Sequence, residues 1–534
     1  MRADFALDYD VLTLEQPHRL YLLARLKADP APDAQKRRPL NLSLVLDRSG
    51  SMAGDKLSYT RQAAQFLIQH LSSNDYFSVV AYNEHVETLL EPQPVLHKDA
   101  LAQRLDKLKA SGMTNLSGGW LQGCTHVEQH LNDDYLNRVI LMTDGLANRG
   151  INQAAQLMQL AQQKRSEKII TTTMGLGADF NEDLLMEMAD AGGGAFYFIE
   201  SPEATPLIFQ EELRDLLSVV GQNLTISLHT RDAITTVNQL NAYNMHTDGR
   251  RFSFSMGDIY GDEIKTLVLE LNLSPFRAPG VQEIGQLVFS YDEIQSGTVE
   301  HRMIEMPVTI QVASADDQSP ALNSEVIRSV LLLQAARARR DAVKAADKGD
   351  FGRASQILRQ AATNIETAQL PGALLQEEQG ALLKQADDME RGDDFYDGFS
   401  RKMMATQANY TMTDRHERTQ SLRYRDVERQ VPPVVEKKPG VLPGAITWRE
   451  QTIPLTGDLM RVGRAPQNEL VLDAKNISRF HCQIKREGER IVLEDLGSTN
   501  GTFVNEERIT EPHLLSVGDV VRVGNEHLIF HDQS

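Results

Sequence analysis

Leu42-Ser43-Leu44-Val45-Leu46-Asp47-Arg48-Ser49-Gly50-Ser51 decides the fold of the N-terminal part of this 534-residue chain. The apolar run has the continuous character of a strand buried on both faces, as in a parallel sheet. It stops at Asp47, and a Ser/Gly turn follows that carries oxygen-bearing side chains at positions 47, 49 and 51. A carboxylate and two hydroxyls converging where a strand ends form a donor set for a hard divalent cation. Open α/β sheets also collect their ligands at the carboxyl ends of strands.

Two later segments extend the pattern. Ser111-Gly112-Met113-Thr114-Asn115 brings a further hydroxyl at a Gly turn before a helix, and Val139-Ile140-Leu141-Met142-Thr143-Asp144-Gly145 ends another apolar strand on an Asp. Together Asp47, Ser49, Ser51, Thr114 and Asp144 resemble the metal-ion-dependent adhesion site of von Willebrand factor A (VWA) domains. That family's D-x-S-x-S…T…D order is matched in sequence, and the resemblance covers roughly residues 40–220. It implies Mg²⁺ or Mn²⁺ as cofactor and a protein partner that offers a carboxylate to the metal.

Around these motifs the chain alternates apolar strands with amphipathic helices from 40 to 220, which predicts a mostly parallel, Rossmann-like sheet covered on both faces. Strands are expected at Leu42–Leu46, Tyr76–Tyr82, Arg138–Thr143, Lys168–Met174 and Ala195–Ile199. From 221 to 315 the rhythm changes to period-two strands broken by Gly, Asn and Asp turns, the pattern of an antiparallel β-sandwich. Residues 1–39 hold one more strand, Leu20–Leu26, which is expected to join that sandwich, so that the α/β domain is an insertion within it. Residues 321–405 turn helical, with an Ala-rich helix broken at Lys348-Gly349-Asp350 as in an αα-hairpin. Residues 406–444 read as a flexible linker, charged and carrying Pro432-Pro433, Pro439-Gly440 and Pro443-Gly444. Residues 445–534 are β-rich and of a size for one small domain. The fold class is thus multidomain α/β plus β.

That last block carries a second constellation. Gly463-Arg464, Ser478-Arg479-Phe480-His481 and Ser498-Thr499-Asn500-Gly501-Thr502 fall in loops at strand ends. Arginines with hydroxyl and amide donors suit a dianionic phosphate, which accepts several charge-assisted hydrogen bonds. The pattern resembles the forkhead-associated (FHA) domain, a phosphothreonine-peptide reader, and implies a C-terminal FHA β-sandwich. On that resemblance Arg464 and Arg479 contact phosphate, Ser478 and Thr499 donate to it, and Asn500 holds the peptide backbone. Gly463 and His481 take structural roles, a tight turn and a loop brace.

Composition narrows the class of protein. The net charge of -19 opposes a general nucleic-acid or anionic-membrane binder. The hydrophobic share of 41% and charged share of 24% are ordinary for a globular protein. Cys124 and Cys482 are the only cysteines, so no disulfide framework is implied and a reducing compartment is expected. The first residues lack a basic start followed by an apolar segment, and no apolar run reaches the ~18 residues of a membrane span. The expected location is cytoplasmic. Gly175-Leu176-Gly177 lacks the third glycine of a dinucleotide fingerprint, and His126 and His130 read as solvated helix surface rather than a zincin pair.

The expected function is a non-enzymatic adaptor or scaffold in Ser/Thr-kinase signalling. One partner attaches through the Mg²⁺-dependent VWA site and a phosphothreonine partner through the FHA domain. The phosphothreonine is carried by another protein or by the chain's own linker at Thr411, Thr413 or Thr419. The alternatives are a Mg²⁺-dependent hydrolase using Asp47, and a co-chaperone-like partner of an AAA+ ATPase.

Overall fold

The computed structural model describes residues 1–31, 37–145, 149–177, 179–295, 298–314, 321–392 and 396–413 of the N-terminal part. Of the C-terminal part it describes 441–448, 451–456, 459–465, 468–472, 474, 477–478, 480–487, 490–496, 498, 500–505, 507–509, 512–516, 518–524 and 526–531. The chain divides into two compact units, Met1–Thr419 and Gln420–Ser534.

The first unit opens with β1 (Arg2–Leu7), β2 (Val11–Thr13) and β3 (His18–Lys27). The inserted α/β domain follows: β4 (Leu40–Asp47), α1 (Asp55–His70), β5 (Tyr76–Tyr82), β6 (Val86–Pro94), α2 (Lys98–Leu105), α3 (Leu116–Glu128), β7 (Leu136–Thr143), α4 (Ala154–Ser166), β8 (Ile170–Leu176), α5 (Glu182–Gly192), β9 (Gly193–Ile199) and α6 (Thr205–Leu217). Its sheet runs β6-β5-β4-β7-β8-β9, parallel except for the antiparallel edge strand β6. Every residue of β4 and β7 is buried, which is why both read as unbroken apolar runs. The side chains of Gly175 and Gly177 are missing for local reasons. A Cβ at Gly175 would lie 2.3 Å from the Phe180 ring, and Gly177 has a φ of +76°.

The chain then returns through β10 (Val219–Thr230), β11 (Ile234–Gln239), β12 (Asn244–Asp248), β13 (Arg251–Tyr260), β14 (Ile264–Leu273), β15 (Gly280–Gln295) and β16 (Thr298–Ala313). Among the described residues these build two sheets, ordered β1-β3-β14-β11 and β12-β13-β10-β15-β16-β2. β3 pairs antiparallel with β14 along its whole length, Lys27 opposite Ile264 and His18 opposite Leu273. Leu20, Leu22, Ala24 and Leu26 point into the core shared with the second sheet. Tyr21 and Leu23 point the other way, against the helices that follow.

Those helices are α7 (Ser324–Ala346), α8 (Phe351–Ala368), α9 (Ala373–Glu390) and α10 (Gly398–Met412). The αα-hairpin legible in the sequence is α7 and α8; α9 packs against both, and α10 lies along α7. Helix α10 carries the helical region to Met412, beyond the expected end at 405, because Met403, Met404, Ala408, Tyr410 and Met412 are buried. Thr411 is buried with them, so it is not an accessible linker residue.

The second unit contains β17 (Val441–Trp448), β18 (Gln451–Thr456), β19 (Leu459–Gly463), β20 (Leu470–Val471), β21 (Cys482–Glu487), β22 (Arg490–Asp495), β23 (Thr502–Val504), β24 (Glu507–Arg508), β25 (His513–Leu514), β26 (Val520–Val523) and β27 (Glu526–His531). They form two sheets, β18-β17-β27-β26-β23-β24 and β20-β19-β21-β22-β25, closed over a core that includes Ile446, Val462, Ile484, Leu493, Val521 and Leu528. β17 starts at Val441, inside the segment expected as linker; the rest of that segment, with Thr419, lies outside the described residues apart from 406–413.

Candidate functional site

The oxygen cluster of the α/β domain is built from three loops tied together by their backbones. Ser111 donates its N–H to the Arg48 carbonyl at 2.8 Å, and Gly50 donates to the Gly112 carbonyl at 3.1 Å. Asn83, just past the end of β5, donates through Nδ2 to the Ser111 carbonyl at 2.9 Å and accepts the Asn115 N–H at 2.8 Å. Gly112 has a φ of +75°, and a Cβ there would come within 3.0 Å of Glu84 Oε2.

Inside this frame the side chains make a continuous chain of contacts. Asp47 Oδ1 accepts the Ser49 N–H at 2.7 Å, and its Oδ2 accepts the Thr143 hydroxyl at 2.6 Å. The Ser49 and Ser51 hydroxyls lie 3.1 Å apart, and Ser51 donates to Asp144 Oδ1 at 2.6 Å. A Cβ on Gly145 would stand 3.6 Å from Ser51 Oγ and 3.7 Å from Thr114 Oγ1. Thr114 therefore faces the same space, and the residues singled out from the sequence are brought together at one sheet end.

Both carboxylates are fully buried, whereas Ser51 is exposed, so the cluster opens to solvent on the Ser51 side. Burial pushes the Asp47 carboxyl up to about 6, against the pull of hydrogen bonds from Thr143 and Ser49, and the nearby Asp144 adds to the rise. Among the described residues no group of three or more His, Cys, Asp and Glu side chains gathers to hold a metal. The donor set is two carboxylates and neutral hydroxyls, all oxygen, which suits Mg²⁺ or Mn²⁺ and not a soft metal.

Two members of the cluster were not among the expected residues. Thr143 anchors Asp47, and Lys56 donates Nζ to Asp144 Oδ2 at 2.7 Å. Lys56 did leave a signal. It falls in the first turn of α1, where the helix dipole disfavours a cation, so an anionic partner was needed.

The second constellation lies at one end of the C-terminal β-sandwich. Arg464 donates its backbone N–H to the Ser478 carbonyl at 3.0 Å, and His481 donates its own to Val462 at 2.9 Å. The imidazole of His481 is fully buried. Its Nδ1 accepts the Ser478 N–H at 3.1 Å, which assigns the proton to Nε2, 3.1 Å from the Gly501 carbonyl. Burial lowers its pKa, in keeping with a neutral ring. Asp495 accepts from the Ser498 N–H at 2.8 Å, the Ser498 hydroxyl at 2.6 Å and the Thr502 hydroxyl at 2.5 Å.

The segments carrying Arg464, Ser478 and Asn500 are thereby tied through His481 and Asp495, with Arg464 half-buried and Asn500 exposed. Arg479 and Thr499 lie outside the described residues. Gly463 is not the pivot of a tight turn. It ends β19 in register with Val471, and its carbonyl accepts the Leu472 N–H at 2.9 Å. His126 is also a correction: it is buried, with Nε2 3.2 Å from the Thr88 hydroxyl of β6, and is not solvated helix surface.

These folds and motifs define a protein built from interaction domains, and comparison with known proteins identifies them. Residues 41–211 match the von Willebrand factor type A domain family and residues 460–524 match the FHA domain family, so the chain carries one of each. It is 28% identical over 401 residues to an uncharacterized protein of Synechocystis sp., covering 73% of this chain and 93% of that one. It is 25% identical over 262 residues to the uncharacterized protein YfbK of Escherichia coli, covering 47% of this chain and 46% of that relative. The solved structure of a von Willebrand factor type A protein from Catenulispora acidiphila superposes with a TM-score of 0.57 at 17% identity, over 73% of this chain and 89% of the other. That likeness is one of fold. A VWA and an FHA domain on one chain support a protein-interaction adaptor.

Proposed function

We propose that the chain is a non-enzymatic, two-ended adaptor: its VWA domain grips one protein through a divalent cation, and its FHA domain grips a threonine-phosphorylated protein in a kinase-controlled pathway. The observation that carries the reading is the contact chain Asp47–Ser49–Ser51–Asp144 with Thr114 facing it, all oxygen and open on the Ser51 side.

Asp47, Ser49, Ser51, Thr114 and Asp144 are the residues that would hold Mg²⁺ or Mn²⁺. When bound, the ion would supply a Lewis-acidic position for a partner's Asp or Glu. What the protein contributes is rigidity. Asp47 is fixed by Thr143 and by the Ser49 N–H, so the donors are pre-positioned and little ordering entropy is lost on binding.

At the other end, Arg464, Ser478, Arg479, Thr499 and Asn500 form the proposed phosphate and peptide contacts, with His481 and Asp495 bracing the loops from behind. Burial of Thr411 favours a phosphothreonine supplied by another protein over one from this helix. The test is a pull-down with the full chain, with and without EDTA, using wild type, Asp144→Ala and Arg464→Ala. Asp144→Ala and EDTA should release the same set of proteins, and Arg464→Ala or phosphatase treatment a different set. Identical losses from both variants would sink the two-ended reading.

A further inference from the structure

Lys56 is the feature of the VWA site that the adaptor reading leaves unexplained. Its Nζ is 2.7 Å from Asp144 Oδ2, while Asp144 Oδ1 is taken by Ser51. Asp144 is fully buried, so this ammonium compensates a charge that water does not reach. Lys56 itself sits in an unfavourable place for a cation, the first turn of α1, and its side chain is 25% exposed. Arg48, in the turn after β4, is engaged elsewhere, 3.0 Å from Glu87. Beside Lys56 the chain leaves room: Gly177 has no side chain, and a Cβ there would stand 3.8 Å from Nζ.

We propose that Lys56 is a built-in competitor of the divalent cation. Its ammonium holds the Asp144 carboxylate and yields it when the cation binds, so Lys56 sets the affinity of the site for metal. This rests on the metal-dependent reading of the VWA site. The physical ground is that one buried carboxylate shared between an ammonium and a divalent ion leaves two cations within a few ångströms at low local dielectric, where their repulsion is weakly screened. Lys56 also has a route out, because it reaches the cluster from the solvent-accessible start of α1. The pairing has a second consequence: it keeps the two acidic groups, Asp47 and Asp144, from facing each other without a counter-charge. Affinity is traded for a site that stays ordered whether or not metal is at hand.

The test uses the full chain. Magnesium and manganese are titrated by calorimetry into wild type, Lys56→Gln and Lys56→Arg, with Asp144→Ala as the control without a site. Lys56→Gln should bind about tenfold tighter, since removing one nearby positive charge is worth a factor of that order. Lys56→Arg, which keeps the charge, should stay within about threefold of wild type. Independently of any variant, amine-reactive labelling of Lys56 in the wild-type chain, read by mass spectrometry, should rise when magnesium is added. Equal affinities for wild type and Lys56→Gln, or labelling that magnesium leaves unchanged, overturns the role of Lys56 alone. Absence of binding by every chain overturns the metal reading and this inference with it. If Lys56→Gln does not fold, the labelling of the wild-type chain decides.

Discussion

Lys402, in α10, is buried in an ion pair with Glu182, in the first turn of α5, 220 residues earlier in the chain. The same ammonium donates to the Phe180 carbonyl at 2.6 Å and lies 4.5 Å from the centre of the Phe180 ring. Arg401 adds ion pairs to Glu182, Asp183 and Asp347, and Phe399 packs on Phe198 with ring centres 5.6 Å apart. Helix α10 is therefore a clamp between the helical region and the inserted VWA domain. A negative charge in the first turn of α5 is also favoured by the helix dipole.

Breaking that clamp has a calculable cost. Lys402→Met leaves the buried Glu182 with Arg401 as its remaining cationic partner and its Oε2 without the ammonium, which should destabilise the N-terminal unit by about 2 kcal/mol. Adding Glu182→Gln should recover part of the loss, because the half-paired buried charge is then gone while Arg401 keeps Asp183 and Asp347. Urea denaturation of the two variants against wild type checks this. Equal midpoints for the single and double variants would mean the pair contributes by packing rather than charge.

A second buried carboxylate gives a pH signature. Asp8 is held among the sandwich strands, Oδ1 accepting the Tyr21 N–H at 2.8 Å, and burial pushes its pKa up to about 6. The unfolded value is about 3.9, so the folded chain binds the proton more tightly. Asp8 therefore costs nothing below about pH 4 and destabilises progressively up to pH 6, with the full penalty above it. Asp8→Asn keeps an acceptor for Tyr21 and carries no charge. It should raise the thermal midpoint by a few degrees at pH 8 and give no gain at pH 4, as differential scanning calorimetry at the two pH values would reveal.

What the sequence disclosed and what it withheld have separate physical causes. Strands buried on both faces, such as β4 and β7, leave continuous apolar runs, and the residues at their ends are close in space because parallel strands end on the same side of the sheet. That is why each Asp could be placed at a strand end, while the grouping of Asp47 with Asp144 came from the resemblance to the VWA pattern. β6 went unread because its exposed edge alternates poorly and carries Pro92 and Pro94, and without it His126 has no visible cover. Thr143 and the identity of the partner of Lys56 left no mark, since a hydrogen bond between side chains on different elements has no periodic trace. Thr411 misled because a polar helix end resembles a linker until the helices it packs against are known.

In the FHA domain the expected variants separate bracing from contact. His481→Ala removes the acceptor of the Ser478 N–H and the donor to the Gly501 carbonyl, both in a fully buried position. It should destabilise the domain by about 2 kcal/mol or more and weaken phosphothreonine-peptide binding along with it. Arg464→Ala should abolish peptide binding with little change in thermal midpoint. Because the folded His481 pKa is lowered, the domain should lose stability as pH falls below about 6.5, the unfolded value. His481→Gln should flatten that slope. Fluorescence anisotropy with a phosphothreonine peptide and thermal scans on the same samples distinguish the two effects.

Metal linkage supplies the last expectation. A ligand that binds only the folded chain stabilises it by an amount set by its concentration over its dissociation constant, about 2.7 kcal/mol at a hundredfold excess. Magnesium should therefore raise the midpoint of the N-terminal transition in wild type, reversibly with EDTA, and leave the C-terminal transition unmoved. Asp144→Ala removes one of the two carboxylates of the cluster and should abolish the shift. Thr143→Val keeps all five proposed ligands but frees Asp47 Oδ2 from its 2.6 Å hydrogen bond, so the carboxylate loses its fixed orientation. Its magnesium shift should shrink rather than vanish, because the donors remain and only their pre-positioning is lost. A full shift in Thr143→Val would show that Asp47 is held in place without Thr143, and a shift in Asp144→Ala would move the metal away from this cluster altogether.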